Sequence, residues 1–198
     1  MNAAHIYQLR IDLRGSRPSI WRRVQVPDHI ALDQLHRVIQ AAMNWLGKNP
    51  YYFLIRELYF CSASHEEMMM QNNVFQADML LKHLKLAPTA SFQYACGEIC
   101  QWSHDVCLEK ILPVQSEQIY PRCLDGKGAS PPEDCDGVSG YKKLLKLMKN
   151  SESKVSYLLD ERFVAGFDPD HFDLVGINKI LHLLDRQINY FYQDILPQ

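Results

Sequence analysis

Residues 6–45 read IYQLRIDLRGSRPSIWRRVQVPDHIALDQLHRVIQAAMNW, and the hydrophobic period changes once within that stretch. Residues 6–13 alternate apolar and polar, which predicts a half-buried strand. Gly15 and Pro18 punctuate a turn over 14–19, and 20–26 (IWRRVQV) predicts a second strand that Pro27 helps to end. Two strands this close in sequence pair most simply as an antiparallel unit. From 33 to 45 the pattern turns helical: Leu35, Val38, Ile39, Ala42 and Leu46 recur at spacings of three and four. Asp33 complements the dipole of the first turn, and 47–50 (GKNP) stops the helix.

Further along, 51–60 (YYFLIRELYF) predicts a third strand, 77–84 a short helix, and 90–96 and 102–111 two more strands. In the last of these, Trp102, His104, Val106, Leu108 and Lys110 share one face by parity, while Cys107, Glu109 and Ile111 share the other. Residues 112–140 lack periodicity and carry four prolines. A loop of that length is uncommon in a compact domain unless it has a job. The final third, about 141–198, is helical, with segments at 141–149 and 152–163 and a last helix opening at 167–173 (FDPDHFD). There Asp168 reads as N-cap and Pro169 as first helical residue, with Ile177, Ile180, Leu181, Leu184, Ile188 and Phe191 as the buried stripe. The expectation is one α+β domain over 1–198: a mixed or antiparallel sheet of about five strands, one packed helix and a helical C-terminal third.

Composition bounds the function. A chain of 198 residues with 47% apolar content suits a single domain with a real core. A formal net charge of −2 argues against a surface devoted to nucleic acid. No signal-peptide core and no stretch of transmembrane length is present, so a cytoplasmic protein with no membrane partner is expected. In that compartment the six cysteines read as reduced thiols rather than three disulfides.

Three segments carry a family resemblance: 7–45 (YQLRIDLRGSRPSIWRRVQVPDHIALDQLHRVIQAAMNW), 108–141 (LEKILPVQSEQIYPRCLDGKGASPPEDCDGVSGY) and 167–178 (FDPDHFDLVGIN). Together they resemble the plasmid open-reading-frame-three-like family, whose members are sometimes labelled insertion-element passenger or resolvase-like proteins. The resemblance implies a small α+β domain of unestablished activity. It also marks departures. Similar proteins carry Tyr-Asp-Phe-Gly-Asp before Trp-x-His, where this chain has Tyr94-Ala95-Cys96-Gly97-Glu98 and then Trp102-Ser103-His104. A histidine usual after the first helix is replaced by 49–52 (NPYY), and a cysteine common before Pro-Pro-Glu-Asp is Ser130. The resolvase label fails on chemistry. Ser16 and Ser19 lie among arginines but in a turn between two strands, and no recognition helix with a basic tail follows.

The candidate sites each have a functional and a structural reading. Cys96, Cys100, His104 and Cys107 are soft or borderline donors within a dozen residues, the raw material of a zinc site, yet they lack the Cys-x-x-Cys spacing. Buried reduced thiols are the favoured alternative. Cys123 and Cys135 lie in the long loop with Asp125, Glu133, Asp134 and Asp136, beside Arg122, which suits either a metal- or ligand-binding loop or a scaffold stiffened by Pro131-Pro132. Trp21 with Arg22 and Arg23 would stack a base and hold its backbone, or would form core and solvated arginines, the commoner outcome. For acid–base chemistry His104 is the best candidate base, with Glu109 nearby in sequence.

Two functional readings follow. The preferred one is a non-catalytic binding or interaction module associated with plasmids or mobile elements, using the long loop and the aromatic strand 51–60. Its residues would be Trp21, Arg22, Arg23, Arg122, Asp125, Glu133 and Asp134, and its partner a protein, a second copy or, less readily, nucleic acid. The alternative is a metal-assisted hydrolase or nuclease using His104 and the acidic cysteine loop 120–140. Zinc would be held by Cys96, Cys100, His104, Cys123 and Cys135; no cofactor is otherwise expected.

Overall fold

The computed structural model describes residues 5–45, 49–62, 73–97, 101–149 and 167–193. Strands β1 (His5–Leu13) and β2 (Trp21–Pro27) form the antiparallel unit that the alternating pattern predicts, with Leu9 opposite Val24. Helix α1 (Leu32–Ala42) follows. At its start the Gln34 side chain accepts a hydrogen bond from the Ala31 amide at 2.9 Å. It ends at Ala42, and two residues on Asn44 is left-handed with φ 54°. The amides of Asn44 and Trp45 donate back to the carbonyls of Ala41 and Gln40 at 3.1 and 2.9 Å. That reversal, which Asn tolerates far better than a branched residue, throws Trp45 back against the sheet.

Among the described residues the sheet has eight strands rather than about five. The stretch 51–60 is not one strand but a hairpin, β3 (Tyr51–Ile55) and β4 (Leu58–Cys61), with Ile55 opposite Leu58. Arg56 and Glu57 form its two-residue turn, both with positive φ. Such turns are normally announced by Asn-Gly or Asp-Gly, and Arg-Glu gives no such signal. β5 (Val74–Gln76) adds a short parallel edge beside β4. The two strands expected at 90–96 and 102–111 are β6 (Ser91–Cys96) and β7 (Trp102–Pro113), and they pair antiparallel. β8 (Arg122–Lys127) lies inside the predicted loop and pairs with β2. Its single buried apolar side chain, Cys123, leaves no periodic signal to read. The strand order is β5-β4-β3-β6-β7-β1-β2-β8.

Alternation along the strands separates two faces. Leu9, Ile11, Val24, Val26, Phe53, Phe92, Tyr94, Trp102, Val106 and Leu108 are buried with α1 in one core. The reverse face carries polar side chains, among them Gln8, Arg10, Arg23 and Glu109.

After β8 come α2 (Gly137–Lys149) and α3 (Leu174–Gln193), the latter packed against α1 and β8. Gly140 in the first turn of α2 has no alternative, because the Cys135 carbonyl oxygen lies 1.5 Å from where a Cβ would stand. The expected short helix at 77–84 is one 3-10 turn, Leu81–Leu84. Asp168 is not the N-cap of the last helix; its carboxylate accepts from the Asp170 amide in a local turn, and Asp173 caps α3 through the Gly176 amide at 2.8 Å. The predicted helix at 152–163, residue Leu46 and the side chains of Ile188 and Phe191 lie outside the described residues.

Candidate ligand-binding cleft

Where α1 ends, three otherwise distant parts of the chain meet around a cleft of about 610 Å³. The segment just past α1 supplies Met43 and Trp45, the segment after β8 supplies Ser130, Pro131, Glu133 and Asp134, and the start of α3 supplies Ile177 and Ile180. Arg22 also lines it, reaching through from β2.

Arg22 explains how these parts are held. It is 2% exposed, and its parity on β2 sends the side chain inward while Trp21 and Arg23 go to the reverse face. The guanidinium donates to the carbonyls of Ala42 (2.9 Å), Trp21 (2.9 Å) and Lys127 (3.0 Å) and to Ser130 Oγ (2.9 Å). Its face lies over Phe172, with Cζ 4.9 Å from the ring centroid. One planar fork thus ties β2, α1, β8, the 130 loop and the approach to α3. No carboxylate pairs with it among the described residues. Burial pulls its pKa down to about 10, which still leaves it charged near neutrality.

Two indoles grip the loop from the other side. Trp45 Nε1 donates to the Pro131 carbonyl at 2.9 Å and Trp102 Nε1 to the Glu133 carbonyl at 2.8 Å, with the rings 5.1 Å apart. Asn49 donates to Glu133 at 2.7 Å, and the Ala129 amide donates to the Pro169 carbonyl at 2.9 Å. Gly126 lets Phe172 approach, since a Cβ there would stand 2.6 Å from its ring. The result is a fixed wall, apolar at Met43, Trp45, Pro131, Phe167 and Ile177, with carboxylates at Glu133, Asp134, Asp168 and Asp173. Ile180, expected in the buried stripe, is 37% exposed because it faces this cleft.

Of the seven residues expected to bind, Arg22, Glu133 and Asp134 come together here. Trp21, Arg23, Arg122 and Asp125 lie on the reverse face of the sheet. There Trp21 sits between Arg10 and Arg23, with Cζ to ring-centroid distances of 4.2 and 5.2 Å. Arg23 grips Glu109 through two hydrogen bonds of 2.7 and 2.9 Å and reaches Asp125 at 3.5 Å. Arg122 donates to Gln25, which donates to Gln8, which donates to Glu109. Arg10 and Arg23 are matched to carboxylates and Arg122 to glutamine side chains, so this face is a hydrogen-bonded ladder rather than a basic platform. The hydrogen bond from Arg23 is the main reason that the Glu109 carboxyl sits below its ordinary range.

His104 and Glu109 do not form a pair: they lie on opposite faces of β7, as parity requires. His104 is fully buried between the rings of Trp45 and Tyr94, at 5.5 and 5.4 Å. Among the described residues neither ring nitrogen meets full hydrogen-bond geometry, although the Tyr94 main chain is close enough to act weakly on its charge. Desolvation holds its pKa down at about 3, so it is neutral and sealed from the cleft by Trp45.

The thiols are likewise dispersed. Cys96 accepts from Gln40 Nε2 at 3.3 Å beneath α1, and Cys107 is on the reverse face of β7. The backbone amide and carbonyl of Cys123 are bound by the Asn178 side chain at 2.8 and 2.9 Å. Burial pushes the Cys135 thiol up to about 12. The five cysteines among the described residues form no disulfide, and no three His, Cys, Asp or Glu side chains there are grouped as metal donors. Cys100 lies outside the described residues. Sequence reasoning did not single out Met43, Trp45, Phe167 or Ile180 for this site. Each falls inside or beside a segment that carries the resemblance, but nothing in the spacing says that those segments converge.

The family model described as "Plasmid pRiA4b ORF-3-like protein" matches residues 5–175. An uncharacterized protein, y4hQ, of Sinorhizobium fredii is 30% identical over 145 residues, covering 73% of this chain and 74% of the relative. A crystal structure of a protein of unknown function, MM3350, from Methanosarcina mazei superposes with a TM-score of 0.74 at 28% identity, covering 87% of this chain and 97% of the other. No described helix is long and apolar enough to cross a membrane.

Proposed function

The chain belongs to the plasmid pRiA4b ORF-3-like family, and on that premise we propose that it is a non-catalytic binding module, accessory to a plasmid or mobile element in the cytoplasm, whose ligand seats in the Arg22 cleft. The observation that carries this reading is convergence: all three segments that bear the family resemblance contribute side chains to this one hollow. Its volume and its mainly apolar wall with a few polar groups suit a ligand site. The carboxylates at its rim favour a ligand with an apolar body and hydrogen-bond donors. The hairpin β3–β4 is not part of it, because Tyr51, Phe53 and Ile55 point into the core.

Nothing favours the hydrolase reading over this one, since His104 is walled off behind Trp45. The test compares the wild-type chain with an Ile180→Glu variant as immobilised baits for host small molecules and proteins. A species retained by the first and released by the second supports the cleft. Equal retention by both, or retention by neither, counts against it.

A further inference from the structure

A second hollow of about 280 Å³ lies apart from the Arg22 cleft and shares no lining residue with it. Its walls are Arg17 and Pro18 from the β1–β2 turn, Lys142, Leu145 and Lys149 from α2, and Pro169 and Asp170 from the approach to α3. Lys142, Leu145 and Lys149 stand at i, i+3 and i+7, so one helix face presents two ammonium groups on either side of an apolar floor. Arg17 faces them from a different element. Three cations against one carboxylate give this hollow a local charge of about +2, in a chain whose formal net charge is −2.

None of the three cations is in an ion pair among the described residues. This is unlike the reverse face of the sheet, where Arg10 and Arg23 are each matched to a carboxylate. Like charges gathered around one hollow repel one another, and an anion relieves that repulsion. We propose that this hollow is a binding site for a phosphate group carried by a small molecule. The planar Arg17 fork suits two phosphate oxygens, the lysines neutralise the rest, and the apolar floor at Leu145 with Pro18 and Pro169 packs against the group that carries the phosphate. A nucleic-acid backbone asks for cations strung along a track, whereas these three line a single hollow of about 280 Å³.

The test is a two-dimensional NMR titration of the full chain at constant ionic strength. It uses inorganic phosphate, a nucleoside 5′-monophosphate and chloride as probes, with a short DNA duplex as a separate arm. The proposal predicts saturable shifts at Arg17, Lys142 and Leu145 with phosphate and tighter binding of the monophosphate. Affinity should fall about tenfold or more in a Lys142→Gln/Lys149→Gln variant, both side chains being exposed. Arg17→Gln, an independent change in an exposed turn, should weaken the same shifts and guards against misfolding of the double variant. Non-saturating shifts, an equal response to chloride, or affinity unchanged in both variants would overturn it. So would saturable binding of the duplex alone. Because Ile180→Glu leaves this hollow intact, failure here and failure of the cleft are separable.

Discussion

At the scale of single residues, Arg22 and His104 are two buried polar groups with opposite consequences. Arg22 remains charged because three carbonyls and a hydroxyl replace its hydration. A lysine there keeps the charge but cannot reach four acceptors from one plane. Arg22→Lys should therefore cost about 2 kcal/mol in urea unfolding and speed amide exchange over 129–134. A stability loss with no change in exchange there would separate Arg22 from the cleft. Among the described residues His104 has no side-chain partner to hold a proton, and the weak influence of the Tyr94 main chain does not offset its desolvation. Its pKa is lowered to about 3 when folded but is ordinary when unfolded. As pH falls below the unfolded value, only the unfolded chain takes up the proton, so stability is full above that value and declines beneath it. Between pH 7 and pH 5 this one group should remove about 2 kcal/mol. His104→Phe, which keeps a ring between Trp45 and Tyr94, should abolish that share of the decline. An identical pH slope in the variant would contradict the assignment.

At the scale of elements, legibility followed the amount of buried apolar surface. β1, β2, α1, β6 and β7 each place several side chains in the core, and their periods of 2.0 or 3.6 are written in the sequence. β8 buries one cysteine and is held by main-chain pairing to β2 on one side. On the other side the Asn178 amide bonds both the N–H and the carbonyl of Cys123, imitating a neighbouring strand and blunting an open edge. None of that produces a hydrophobic period. The start of α3 is ambiguous in the sequence for a different reason: Asp168 and Asp173 are both sound N-caps, and it is Asp173 that meets the Gly176 amide, next to Phe172 beneath Arg22. The motif glycine in α2 is the element-scale test. Gly140→Ala would drive a methyl into the Cys135 carbonyl. It should cost about 3 kcal/mol, roughly 6–12 °C in Tm; a shift under a degree would mean that the turn re-forms freely.

At the scale of the molecule, the sheet separates two environments that the linear sequence interleaves. Arg22 and Arg23 are adjacent, yet one anchors the cleft and the other closes an ion ladder with Glu109 on the far side. The alternation of strands foretold that division; it could not say which face would be hollow. The hollow depends on loops and a helix start brought together from 42–45, 129–134 and 167–180, a convergence set by tertiary hydrogen bonds rather than local pattern. An NMR screen of small fragments against the full chain bears most directly on the cleft. The account predicts that binding shifts cluster at residues 43–45, 129–134 and 176–180 and disappear in Ile180→Glu. Fragments that gather on the reverse face instead, or that bind the variant equally well, would contradict it.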